Sequence, residues 1–500
     1  MARPRLEKLT LDKDLDKVSL AEEASQYVMR RLAAPGLGLL FLILSMAFAA
    51  SYFTGASGSA IVVAGAAVAA YMAMNIGAND VTNNVGAAVG AKAMTMATAL
   101  GIAAVFEIAG AVIAGRRVTL TIEAGLVDGA RLVSLDALVW VMMAALLSSA
   151  VWINVATYAR APVSTTHSIV GGIIGAGVAA EGLAGVKWWT IAGITASWSV
   201  SPLLGGAVAA LFLAFLKEFI IYRDDKIEAA RFWMPIVLGV TAGSFTAYVA
   251  VFGLVHLQLI SLWTALIIGV LAGIACYGLC KPWIRRQSEG LDNRNQSLRR
   301  LFRLPLIFSA ALLSFAHGAN DVSNAIGPLS AIVSAVGGTL STARSEAPFW
   351  VLTIGALGIS IGLLLYGPIL IRVVGEEITR LNPMRAFCVA LATAVTVLLA
   401  SALGVPISST HTAVGAVFGV GFFREWYTRH SQRRLDYVRR KTGKSDFMVE
   451  AIETNFAEVR RRRLVRRSYF LSIVAAWVVT LPASALLSAL VYRLLAGLFL

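Results

Sequence analysis

Thirteen apolar runs recur along this chain, at about residues 36–53, 57–79, 93–115, 137–159, 161–180, 188–216, 232–254, 258–280, 304–325, 349–371, 386–402, 406–423 and 468–492. Several hold 18 or more residues without a charge, the length a helix needs to cross about 30 Å of hydrocarbon at about 1.5 Å per residue. In that medium every backbone N–H and C=O must find a partner inside the protein, which leaves helices or closed barrels. The short alternating segments of a barrel are not seen. The expected fold is therefore all-α, a polytopic helical membrane protein. Composition agrees: 58% hydrophobic residues, 14% charged residues and a mean hydropathy of +0.75 exclude a water-soluble enzyme.

Orientation follows from Lys and Arg, which stay on the cytoplasmic side. We place residues 1–34 inside and let the segments flanking Pro162 and Pro406 each enter and return as a hairpin. Then 36 of the 43 basic residues fall on one face. The net charge of +15 is thus a topology signal, and nucleic acid is not expected as a partner. The stretch 424–467, with 14 basic and 6 acidic residues, reads as a solvated loop near anionic headgroups or as a regulatory element. Cys276, Cys280 and Cys388 lie in apolar runs and read as packing residues. About 30 polar, mixed-charge residues precede the first apolar run, which is not the form of a secretory leader. Within them Ser19 and Glu22 resemble a helix capping box. The expected location is the plasma membrane, the inner membrane in a bacterium, with a cytoplasmic N-terminus.

The most informative pattern is an internal repeat. Gly77-Ala78-Asn79-Asp80-Val81-Thr82-Asn83 returns as Gly318-Ala319-Asn320-Asp321-Val322-Ser323-Asn324, an offset of 241. Pro162-Val163-Ser164-Thr165-Thr166-His167 returns as Pro406-Ile407-Ser408-Ser409-Thr410-His411, an offset of 244. A looser pair joins Trp198–Pro202 to Trp477–Pro482. An even number of crossings separates the two GAND spans, so they should pass through the bilayer in opposite senses. The expectation is two inverted repeats, each with a broken GAND helix and a helical hairpin, which together build a midplane site exposed alternately to the two faces. The expected organisation is a cytoplasmic segment (1–34), an additional transmembrane helix (36–53), a first transport repeat (57–216), connecting helices with a cytoplasmic loop (217–303), and a second transport repeat (304–492) carrying the basic loop 424–467.

Asp80 is the only charged residue between Arg31 and Lys92, and Asp321 the only one between Arg303 and Arg344. A mid-span carboxylate costs at least ~2.5 kcal/mol on insertion scales, so it is normally paired, hydrated or bound to a cation. Asn79, Asp80 and Asn83, with Asn320, Asp321 and Asn324, offer hard oxygen ligands beside glycines that permit unwinding. Such a set suits Na⁺, with Asn79, Asp80, Asn320 and Asp321 as candidate ligands, and a protonatable carboxylate serves a proton equally well. The hydroxyls Ser164, Thr165, Thr166, Ser408, Ser409 and Thr410 would open two helices, whose free N–H groups and positive dipole ends suit a tetrahedral oxyanion. The alternative is ordinary capping and interhelical bonding. With no Arg or Lys in such a site, the anion's charge must be offset by co-bound cations, which points to symport. Glu107 lies mid-span without a counterpart in the second copy and is a further candidate for the coupling ion. Ser201 and Thr480, each near a proline, are weaker ones. His167, His411 and His317 read as hydrogen-bonded structural residues or as proton relays. The nucleophile, base or HExxH set of a membrane-embedded enzyme is not found in or beside the spans, so the chain is not expected to be an enzyme.

The paired GANDVxN motifs and paired P-[VI]-S-[ST]-T-H hairpins resemble the inorganic phosphate transporter family (PiT), and Phe106–Val118 (FEIAGAVIAGRRV) is similar to that family's second core helix. The resemblance spans roughly 57–492. It implies a secondary symporter for inorganic phosphate, a homodimer in the plasma membrane, with no cofactor beyond a co-transported Na⁺ or H⁺. Proton-coupled members take metal-phosphate in some cases, and some bacterial relatives carry sulfate. It also implies that the signature aspartates are Asp80 and Asp321, the ion-site asparagines Asn79, Asn83, Asn320 and Asn324, and the phosphate-binding hydroxyls Ser164–Thr166 and Ser408–Thr410. The run at 36–53 precedes the family's usual start, and Asn84 stands where the family has a small residue, a position that bears on ion preference. Cation-coupled phosphate uptake leads; a sulfate permease of the same fold and an oxyanion channel are the alternatives.

Overall fold

The structure, a computed structural model, describes residues 32–53, 58–126, 135–159, 161, 163–255, 258–337, 347–377, 381–442 and 467–500. Among the described residues every regular element is a helix. They run α1 (Leu32–Tyr52), α2 (Ser59–Gly90), α3 (Met96–Ala114), α4 (Arg116–Gly125), α5 (Leu135–Tyr158), α6 (Thr165–Glu181), α7 (Trp188–Leu216), α8 (Lys226–Val249) and α9 (Leu262–Ser288). The second half holds α10 (Asn295–Leu301), α11 (Arg303–Asp321), α12 (Ser323–Val336), α13 (Phe349–Glu377), α14 (Pro383–Ala402), α15 (Ser409–His430), α16 (Gln432–Thr442) and α17 (Arg467–Phe499). Among the described residues eleven helices are long and apolar enough to cross a membrane, or up to 12 if Asn295–Leu301 and Arg303–Val336 form one bent span. α15 lies outside that set: it opens on the polar run Ser409–Thr412, and only 15 uncharged residues precede Arg424. Residues 1–31, including Ser19 and Glu22, as well as Pro162 and residues 443–466 of the basic loop, lie outside the described residues.

Small residues fix the helix crossings. A Cβ on Gly77 would collide with the Ile359 carbonyl of α13, and one on Gly362 with the Met74 carbonyl of α2. Gly318 and Gly110 repeat this between α11 and α3, against the carbonyls of Glu107 and Phe315. The hairpin helices follow the same rule. Gly171 and Gly175 of α6 lie against Leu481 and Ala485 of α17, while Gly415 and Gly419 of α15 lie against Pro202 and Gly206 of α7. Lipid tails are as apolar as leucine, so close backbone approach and dispersion drive this association. Every one of these pairs joins a helix from before residue 217 to one from after residue 302: α2 with α13, α11 with α3, α6 with α17 and α15 with α7.

The GAND segments do not break as expected. α2 runs 32 residues without interruption through the motif. In the second copy only Val322 lapses, and its φ of −57° and ψ of −32° are helical. The 45° bend there lies at Phe302, well before the motif. Gly77 and Gly318 serve close helix approach instead of unwinding, and a tightly crossed helix retains its backbone hydrogen bonds.

The chain interrupts its helices at the hairpin tips, between α5 and α6 and between α14 and α15. Ser164 and Ser408 cap α6 and α15, each hydroxyl accepting from the N–H of His167 or His411 at 3.2 Å. Ser408→Ala is expected to cost about 1 kcal/mol through loss of this cap, read as a lower Tm in detergent.

Candidate functional site

Asp80 and Asp321 are fully buried, and with His317 they bring ligand atoms within 4.8 Å of one another. His317 lies one turn before Asp321 on α11, so the two share a face. Its Nε2 is 3.2 Å from Asp321 Oδ2 and 3.6 Å from Asp80 Oδ2, and its Nδ1 is 3.2 Å from Glu107 Oε2. Glu107 reaches this point because α3 crosses α11 at Gly318, whose missing side chain makes room for the Glu107 carbonyl. Asn84, one turn after Asp80 on α2, donates from Nδ2 to Glu107 Oε1 at 2.8 Å.

Three carboxylates thus surround one imidazole in the protein interior. A neutral imidazole donates from one nitrogen and accepts at the other, yet both ring nitrogens here face carboxylate oxygens. The cluster accommodates a proton beyond the neutral ring, on the imidazole or on a carboxylate. Even an imidazolium offsets one of the three acids and leaves two in excess, and among the described residues no Lys or Arg pairs with them. A buried negative cluster of this kind calls for a further cation.

The hydroxyls of both hairpins point at the same acids. Thr165 donates to Asp80 Oδ2 at 2.9 Å, Thr410 to Asp80 Oδ1 at 3.2 Å, and Thr166 to Asp321 Oδ1 at 3.2 Å. Asn83 donates to Thr410 Oγ1 at 2.8 Å, and Asn324 to Thr166 Oγ1 and Asp321 Oδ1 at 3.2 Å each. The Ser409 hydroxyl faces Asp321 as well. Acids and hydroxyls, separate features of the sequence, form one cluster at the N-terminal ends of α6 and α15. Ser164 and Ser408 differ from their neighbours in that their hydroxyls serve as caps.

Asn79 and Asn320 anchor the hairpin tips. Asn320 donates to Ser401 Oγ at 3.1 Å and to the Val405 carbonyl at 3.2 Å, and its Oδ1 accepts from the Ile407 N–H at 3.2 Å. Asn79 meets Thr157 Oγ1 at 2.9 Å, and the amide orientation that satisfies its neighbours donates to Asp80 Oδ1 and the Val163 carbonyl at 3.3 Å. Sequence reasoning missed Thr157 and Ser401. They are related by the same offset of 244 as the hairpin motifs, so extending that alignment upstream finds them.

Ser201 and Thr480 are buried one helix layer away, on α7 and α17. Their neighbours Pro202 and Leu481 touch Gly415 and Gly171, and the Ser201 hydroxyl has no hydrogen-bond partner. His167 and His411 meet edge to face at 4.4 Å, and His167 packs on Trp198 at 3.9 Å. The Trp198 indole donates to the Pro406 carbonyl at 3.3 Å.

The asymmetric part of the site is testable. Asn84→Ala strands Glu107 Oε1 without its donor, a loss expected to cost about 1–3 kcal/mol. A lowered Tm together with a shifted cation dependence of uptake is the expected result; unchanged values in both would show that the pair has no role.

A family profile described as "Phosphate transporter family" matches residues 76–488. A protein of Helicobacter pylori (strain ATCC 700392 / 26695) named "Putative phosphate permease" is 41% identical over 526 residues, covering 96% of this chain and 98% of its own. One from Pyrococcus abyssi (strain GE5 / Orsay), also named a phosphate permease, is 34% identical over 428 residues, with 85% and 95% covered. Among solved structures, one titled "The sodium-dependent phosphate transporter" aligns with a TM-score of 0.75 at 32% identity, covering 88% of this chain and all of that one. With the signature aspartates and both hairpin motifs inside the matched region, the chain belongs to the phosphate transporter family.

Proposed function

We propose that this protein is a secondary active symporter that moves inorganic phosphate across the plasma membrane together with a cation, by alternating access. The observation that carries this reading is the interlocked cluster. Asp80 and Asp321 meet at the ends of α6 and α15, and Asp80 takes hydroxyl hydrogen bonds from Thr165 and Thr410, one from each hairpin. Helix N-termini favour an oxyanion, yet the three acids repel one until positive charge joins them. Cation and anion therefore bind with reciprocal benefit, which is the thermodynamic content of symport. Phosphate suits this arrangement better than sulfate because it carries a proton that can donate to Asp80 or Asp321.

The packing of every core helix on one from the other half supports the inverted-repeat reading and a site at the interface between halves. The contacts of His317 with Glu107 and Asp321 favour a proton as the coupling ion. Na⁺ is the second reading, favoured by the similarity to a transporter whose title calls it sodium-dependent.

Uptake of labelled phosphate into proteoliposomes, with Na⁺ and pH gradients imposed separately and sulfate as competitor, tests this. Accumulation above equilibrium only under an inward cation gradient, resistant to sulfate, is expected. Passive equilibration without a gradient would make the protein a channel, and equal transport of sulfate would overturn the substrate. Ser409→Ala is expected to raise KM for phosphate about tenfold, the loss of one hydrogen bond to a charged group, with a smaller effect on cation half-saturation. The reverse pattern would exchange the two roles.

A further inference from the structure

At the end of the bundle where α7, α10, α14, α15 and α16 meet, α7 finishes in a π turn, Lys217–Ile221. π turns inside α-helices are rare and gather at functional positions. This one turns Lys217 inward. The residue is 6% exposed, and among the described residues its Nζ has no hydrogen-bond partner while lying 4.2 Å from the Tyr427 ring centre and 5.4 Å from that of Phe423. A buried ammonium with none of its donors used is costly unless a counter-ion reaches it.

Lys217 lines a cavity of about 390 Å³ together with Arg299, Arg385, Arg424, Arg429 and Arg434. Among the described residues Glu425 is the one acid in the lining. Two described acids nearby are engaged with other arginines: Glu218 pairs with Arg433, and Asp224 with Arg440. Arg299, Asn382 and Arg385 also line an adjoining basin of about 820 Å³, where Lys92, Arg300 and Arg303 join them. Among the described residues, nine basic side chains thus face two adjoining basins with a single carboxylate, Glu425, in their lining.

We propose that this cavity is a second anion site, separate from the acid–hydroxyl cluster, that binds a polyanion bearing several phosphoryl groups. Arginine forks match phosphoryl oxygens bidentately, and one orthophosphate is too small to reach basic side chains spread over both basins. The chemistry contrasts with that of the core cluster, where hydroxyls and helix ends face the acids and no Lys or Arg takes part. An occupant held by Lys217, Arg385 and Arg424 ties α7 to α14 and α15. It therefore bears on the crossing of α7 over the second hairpin helix at Gly415 and Gly419. The phosphoryl groups can belong to a soluble polyphosphorylated molecule or to anionic lipid headgroups.

The test is calorimetric titration of tripolyphosphate into the purified full-length protein in neutral detergent. Saturable binding is expected, weakened at least about tenfold by Lys217→Gln and by Arg385→Gln. It should be unchanged by Arg440→Gln and by Asp321→Asn, the latter showing that the polyanion does not use the core site. Size-exclusion profiles verify that the variants fold. Repeating the titration in nanodiscs identifies the source. If anionic phospholipid competes and co-purifies with the wild type and not with Lys217→Gln, the headgroup is the ligand; if it leaves tripolyphosphate affinity unchanged, the ligand is soluble. No saturable binding in detergent, equal affinity in Lys217→Gln and Arg385→Gln, or loss of binding in Asp321→Asn would each overturn the proposal.

Discussion

Changing Asp321 to Asn is expected to lower cation-coupled phosphate uptake by at least about 100-fold while leaving membrane insertion intact. The substitution keeps the side chain's shape and its contacts with Thr166 and Asn324, and removes one negative charge facing His317. Losing one partner of a buried charged pair costs about 3–5 kcal/mol, which corresponds to two or more orders of magnitude in affinity or rate. Insertion runs the other way, because a mid-span carboxylate costs at least ~2.5 kcal/mol that the amide does not. Asp80→Asn should behave alike, since Asp80 receives hydrogen bonds from Thr165 and Thr410. The check is the initial uptake rate into proteoliposomes, normalised to inserted protein. Full activity in both variants would remove the carboxylates from the mechanism.

Gly318→Ala is expected to destabilise the protein and abolish uptake, although the added methyl is chemically inert. Its Cβ would run into the backbone carbonyl of Glu107, so a whole helix must move rather than a side-chain end. Overpacking costs about 1–3 kcal/mol, occasionally more, and a backbone obstacle places this case at the upper end. The displacement also draws Glu107 away from His317 Nδ1. Gly101→Ala on α3 is the control, since nothing lies within 4 Å of its Cβ position. A Tm in detergent well below wild type for Gly318→Ala, alongside an unchanged Gly101→Ala, is the expected pair of results. Equal stability would mean that the α3–α11 crossing adapts freely.

The spans and the paired motifs were legible because the bilayer imposes length and apolarity on each helix and because duplication leaves the same residues twice. The isolation of Asp80 and Asp321 in uncharged runs marks them as candidate site residues from the sequence alone. What the sequence does not carry is which half each group faces. Asp80 bonds to Thr410, 330 residues away, and nothing in either segment specifies that partner. His317 reads equally as a hydrogen-bonded structural residue or as a proton relay until the crossing of α3 at Gly318 places Glu107 beside it. The glycines of the GAND motif posed the same ambiguity. A glycine permits both unwinding and close approach, and the atom that decides, the Ile359 or Glu107 carbonyl, sits on another helix.

The most direct test is the phosphate affinity of the purified protein as a function of cation. If acids and hydroxyls form one shared site, saturating H⁺ or Na⁺ should tighten phosphate binding at least about tenfold, a coupling of about 1.4 kcal/mol within the range usual for linked sites. Saturating phosphate should then tighten cation binding by the same factor. A phosphate Kd that stays constant across both pH and Na⁺ titrations would contradict coupling at Asp80 and Asp321.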